Sequence, residues 1–183
     1  MIGAEAFAHV EDTRFRLLLS FWLGARERRP VPPAGAIDPV RFAFALPLVW
    51  LCSVEENPRD FRYELLGEHV RVAYDHYPRN RTLREITGPD VLDRVLGYFN
   101  RAVDEPAVVH VAGRIYAEST RPARGERILL PFADPQDGRV TRILGATVHS
   151  WEIQGYGAAS VPDRQVRTFT PVDGRPAWTE DWL

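Results

Sequence analysis

The chain reads as an α+β protein built around a single domain. Three observations predict this. Two strand-like segments come first, a helical stretch follows, and three strand-like segments close the core, without the helix between every pair of strands that a parallel sheet needs. A length of 183 residues suits one domain and supports a hydrophobic core without disulfides or a structural metal. A content of 45% hydrophobic and 26% charged residues is that of a globular chain rather than a disordered one.

Taken in order, residues 1–30 hold an amphipathic helix. Phe15, Leu18, Leu19 and Trp22 recur at three- and four-residue spacing, Asp12 or Thr13 can cap the start, and Pro30-Val31-Pro32-Pro33 stops it. That apolar stripe must be buried, either on the chain's own sheet or on a second copy, and the four residues are the expected dimer interface. The core is expected over residues 31–152. Asp38-Pro39 opens a short helix running to about Phe44. Leu46 to Val54 and Phe61 to Leu66 form a hairpin about the polar turn at Asn57-Pro58. Residues 68–86 mix polar and aromatic side chains without a clean period and predict short helical turns. The clearest helix starts at Thr87-Gly88-Pro89-Asp90 and shows one apolar face of Val91, Leu92, Val95, Leu96, Phe99 and Val103. Strands are predicted over 107–118, 127–133 and 140–151, with a turn at Asp134-Pro135-Gln136-Asp137-Gly138 before the last. Residues 153–183 are polar and rich in Gly and Pro and predict an extended tail, although Trp178 and Trp182 call for a docking place on the body or on a partner.

Charge and cysteine content exclude several classes. The formal net charge is −2, which argues against a nucleic-acid surface. All 23 basic residues are arginine; their dispersal along the chain points to codon usage rather than to an anion-binding surface. Cys52, alone and within an apolar run, permits no intrachain disulfide and reads as a buried inert thiol. No secretion signal and no apolar run of membrane-spanning length is seen, so a cytoplasmic location without membrane or nucleic-acid contact is expected.

The motifs taken together resemble a bacterial subgroup of the PAS-domain family. They are Phe21-Trp22 with Arg26, Ile37-Asp38-Pro39, Leu46-Pro47-Leu48-Val49-Trp50-Leu51, Phe61-Arg62-Tyr63-Glu64-Leu65-Leu66-Gly67, Leu130-Pro131 and Arg142-Ile143-Leu144-Gly145, spread from Phe15 to Trp151. The resemblance implies a five-stranded antiparallel sheet with helices over one face, a cavity between them, and a dimer formed through the helix that precedes the core. It also implies a sensory or protein-interaction role in signal transduction. No output domain follows the core, so the signal is expected to leave by contact with another protein. The expected partners are a second copy, a signalling protein and a small-molecule ligand.

The residues suited to lining such a cavity are Trp50, Tyr63, His69, Tyr74, Tyr77, His110 and Tyr116, any of which can equally be a core side chain with its polar atom satisfied. A haem-binding PAS domain would take its ligand from His69 or His76, each of which also reads as an ordinary surface histidine. Cys52 lies on a strand rather than in the Asn-Cys-Arg turn of flavin photosensors. No cofactor is named by these residues. Catalytic motifs are missing: no phosphate loop, no nucleophile elbow and no metal-like histidine spacing. The chain is therefore read as a non-enzyme. The alternatives are a small-molecule enzyme with a cone-shaped pocket, for which Glu64 and Glu118 are the candidate bases, and a purely structural docking protein.

Overall fold

In the computed structural model, which describes residues 2–74, 78–115, 123–151 and 164–182, the strand-forming segments assemble into one antiparallel sheet. The strands are β1 (Val49–Glu56), β2 (Arg59–Leu66), β3 (Ala107–Ile115), β4 (Ala123–Ala133), β5 (Val140–Trp151), β6 (Gln165–Pro171) and β7 (Trp178–Trp182). Their spatial order is β2-β1-β5-β4-β3-β6-β7. The sheet thus has seven strands, not five. The two additional ones come from the segment expected to be an extended tail: β6 pairs along β3 from Ala107↔Pro171 to Gly113↔Gln165, and β7 pairs along β6. Burial explains the difference. Phe169 is fully buried and Trp178 stacks on it at 5.1 Å between ring centroids, so the tail contributes core side chains that polar neighbours hide in the sequence.

Alternation along each strand sorts side chains into two layers. Val49, Val108, Ile128, Leu130 and Leu144 face one side; Trp50, Cys52, Val109, Leu129 and Ile143 face the other. The second side is covered by α2 (Glu68–Arg71), α3 (Leu83–Ile86) and α4 (Pro89–Asp104). α4 begins with Gly88 at its cap position and Pro89 in its first turn, so Thr87 is not the capping residue. It buries Val95, Leu96, Tyr98, Phe99 and Ala102. Helices are not confined to that side, however. The opposite face is covered by α1 (Thr13–Ala25) with the 3-10 turns Ala4–Phe7 and Pro39–Ala45.

α1 is capped by Asp12, whose carboxylate accepts from the Arg14 and Phe15 amides at 2.8 and 3.3 Å. Phe15, Leu18, Leu19 and Trp22 are all buried within the chain, and the Trp22 Nε1–H donates to the Pro131 carbonyl on β4 at 2.8 Å. Phe21 packs on Phe42 from another side of the helix. The four side chains expected to meet a second copy are therefore buried within the chain itself. A stripe of this kind states that a helix must be covered, and here the outer face of the sheet covers it. Among the described residues no helix is long and apolar enough to cross a membrane.

Candidate functional site

The layer between α4 and the sheet holds a polar chain inside an aromatic frame. Trp50 on β1 lies flat over Gly145 of β5, where even a Cβ would come within 2.1 Å of the indole. The ring stacks on Phe99 of α4 at 5.5 Å and meets the edge of Tyr63 of β2 at 5.7 Å. Its Nε1–H donates to Thr147 Oγ1 at 3.0 Å. The same hydroxyl oxygen accepts from Arg127 Nε at 3.2 Å, and Arg127 Nη1 donates to the Tyr98 hydroxyl at 2.7 Å. Arg127 and Thr147 are both buried. Tyr98 then presents its ring face to a second guanidinium, with Arg167 Cζ 4.7 Å from the centroid. Strand parity makes this arrangement: Arg127 shares the inward face of β4 with Leu129, and Arg167 that of β6 with Phe169.

Burial raises the Tyr63 phenol well above its ordinary value, with Tyr74 the next contributor, so the hydroxyl stays neutral. Burial likewise raises the Cys52 thiol well above its ordinary value, in agreement with an inert core cysteine. Desolvation lowers Arg167 to about 10, with Arg94, Arg101 and Arg127 adding repulsion.

Of the residues singled out from the sequence, Trp50 and Tyr63 are in this layer, and Tyr74 packs half-buried against the same cluster. His69, on α2, meets β5 at His149, two residues beyond Thr147. Its Nε2 accepts from the His149 amide at 3.3 Å and its ring lies 4.3 Å from the His149 ring. Burial, then the charge of Arg14, lowers the His69 pKa. That of His149 falls to about 4 through burial, then His69, then Arg127. His110 is on the opposite face of the sheet, buried with Nε2 2.9 Å from Glu126 Oε2 and its ring 5.3 Å from that of His9. It cannot line the α4-side layer. Tyr77, Tyr116, His76 and Glu118 lie outside the described residues. Glu64 is the extra residue of a bulge in β2 and pairs with Arg142, half-exposed and apart from the polar chain.

A family model for the PAS domain matches residues 10–148. The chain belongs to the PAS-domain family. The match begins just before α1 and ends within β5, so β6 and β7 lie beyond the matched PAS region. No curated protein and no solved structure matches the chain. Under α4 the sequence reading missed Tyr98, Arg127 and Thr147 within the PAS region and Arg167 beyond it. Inward strand parity was the available signal for both arginines, since each lies two residues from an inward apolar side chain. Dispersed along the sequence, Arg94, Arg101, Arg127 and Arg167 become neighbours in charge only through the fold.

Proposed function

We propose that this PAS domain is a sensory module that works by binding rather than by catalysis, with its ligand seated between α4 and the sheet. The observation that carries this reading is the buried chain Trp50–Thr147–Arg127–Tyr98, which spans β1, β5, β4 and α4 with hydrogen bonds. Burying a guanidinium is costly, and apolar side chains of similar volume generally stabilise a core as well or better. A polar network that links the one long helix on this side to three strands gives a ligand specific groups to engage. On this reading α4 has a second packing against the sheet that differs in its affinity for the ligand. A ligand that favours one packing shifts α4 relative to the sheet, and the surface of the domain then reports occupancy to a signalling partner.

Native mass spectrometry of the purified chain tests the reading, with a denatured control and the R127M variant beside it. A stoichiometric mass on the wild type, released on denaturation and lost in R127M, supports it. Wild-type protein carrying no mass, with no shift in melting temperature across a metabolite library, would overturn it.

A further inference from the structure

Arg167 is 2% exposed, yet no acidic side chain among the described residues lies against it as an ion-pair partner. Its Nε donates to Gln165 Oε1 at 2.8 Å, while Nη2 is buried without a hydrogen-bond partner. Glu180, its cross-strand neighbour on β7, gives its carboxylate to Arg101. After burial, Tyr98 acts most strongly on it and favours its charge, while the next groups in effect, Arg94, Arg101 and Arg127, are all cations. Two rings lie against the guanidinium, with Cζ 4.7 Å from the Tyr98 centroid and 4.6 Å from that of Trp182. Ring contacts of this kind restrain the guanidinium and leave Nη2 as the donor without a partner, an arrangement that suits an oxyanion. Trp182 is 39% exposed on the last strand, so the cover on one side of the guanidinium reaches the surface.

We propose that Arg167 anchors an anion site in which a small ligand bearing a carboxylate or phosphate enters beside Trp182 and places an oxyanion on Nη2. Arg94 and Arg127 supply the surrounding positive potential, and Tyr98 joins this anchor to the polar chain under α4. The inference rests on the sensory reading and names its ligand class. It also gives β6 and β7 a role, since one carries the anchor and the other its cover.

The test uses the full chain and two probes, inorganic phosphate and citrate, each titrated against sodium chloride of matched ionic strength while the melting temperature and binding heat are followed. At least one probe is expected to bind saturably where chloride does not, and R167M to weaken it about tenfold or more, as the loss of a charge-assisted contact requires. Without anion, R167M melts no lower than wild type, because it removes an uncompensated buried cation. R175M, at an exposed arginine, keeps the full response. A response to phosphate alone identifies a phosphoryl ligand; a response to citrate alone identifies a carboxylic acid. Retention of the response in R167M overturns the site, as does silence from both probes together with a lowered melting temperature in R167M, which would make the arginine a stacking post. If a co-purified mass survives in R167M while neither anion binds, the anion anchor falls and the sensory reading stands. If no mass is present in either protein and no library compound shifts the melting temperature, both fall.

Discussion

Replacing Gly145 with alanine puts a methyl group where the Trp50 indole now lies. The added Cβ would sit 2.1, 2.3 and 2.4 Å from Cζ2, Cε2 and Cη2 of the ring, against about 3.5–4.0 Å for a relaxed carbon contact. The ring cannot simply tilt away. Phe99 stacks on it, Tyr63 meets it at an angle, and its Nε1–H is tied to Thr147. Overpacking of this kind costs about 1–3 kcal/mol. Pulling the indole N–H from Thr147 leaves a buried donor unmade for about 1–3 kcal/mol more. The expected loss is thus about 2–5 kcal/mol, or roughly 5–20 °C in melting temperature for a chain of this size. Urea unfolding followed by tryptophan fluorescence and far-ultraviolet circular dichroism measures it. G97A is the control, because Gly97 faces solvent on α4 with nothing within 4 Å of an added Cβ; it should gain about 0.5–1 kcal/mol. The double variant G145A/W50L should recover part of the loss, since the clash disappears with the ring. A G145A protein within about 0.5 kcal/mol of wild type, or strict additivity in the double variant, would refute the account of this contact.

Ending the chain at Trp151 removes β6 and β7, uncovers the β3 edge and strips Phe169 from the core; the shortened chain should aggregate or melt at least about 10 °C lower, and a melt close to wild type would contradict the seven-stranded core. D12A removes the cap that accepts from two α1 amides and should cost about 1 kcal/mol in urea unfolding. His149 titrates near 4 when folded, and His9 and His69 are also lowered, chiefly by burial. The folded chain therefore binds fewer protons than the unfolded one below the ordinary histidine value. Stability should be full above about pH 6.5 and fall as the pH drops toward 4, with H149L flattening part of that slope in urea midpoints taken between pH 7.5 and 4.5.

The hairpin of β1 and β2 was legible because Asn57-Pro58 breaks two apolar runs, and α4 because its apolar face keeps a helical period over four turns. α1 was legible as an element but not in its partner: periodicity says that Leu18 and Trp22 need cover, while only the sheet order shows that the outer face of β4 supplies it. β6 was hidden because Gln165, Arg167, Thr168 and Thr170 read as tail residues. Its signal was Asp173-Gly174 between two aromatic-bearing segments, and Gly174 does adopt φ +90° at the hairpin. At the site, aromatic residues on predicted strands led to Trp50 and Tyr63. The arginines were passed over because their positive charge is spread along the sequence and is concentrated only by strand pairing that places β4, β3 and β6 side by side.

Strand pairing also ties the proposed site to folding. β1 and β5 meet along a seam from Val49↔Ala146 to Ser53↔Arg142, which joins two locally formed hairpins across most of the chain. Contacts of such long range are the slowest to form and carry the largest loop-closure cost. Trp50 and Gly145 face each other across that seam, so the aromatic layer under α4 is complete only when this long-range pairing has closed. Under the proposed sensory reading, a ligand seated there would bind the completed sheet and not its parts, and its binding would add to the stability of the folded domain. In this PAS domain the layer proposed to hold the ligand and the seam that completes the sheet are one structure.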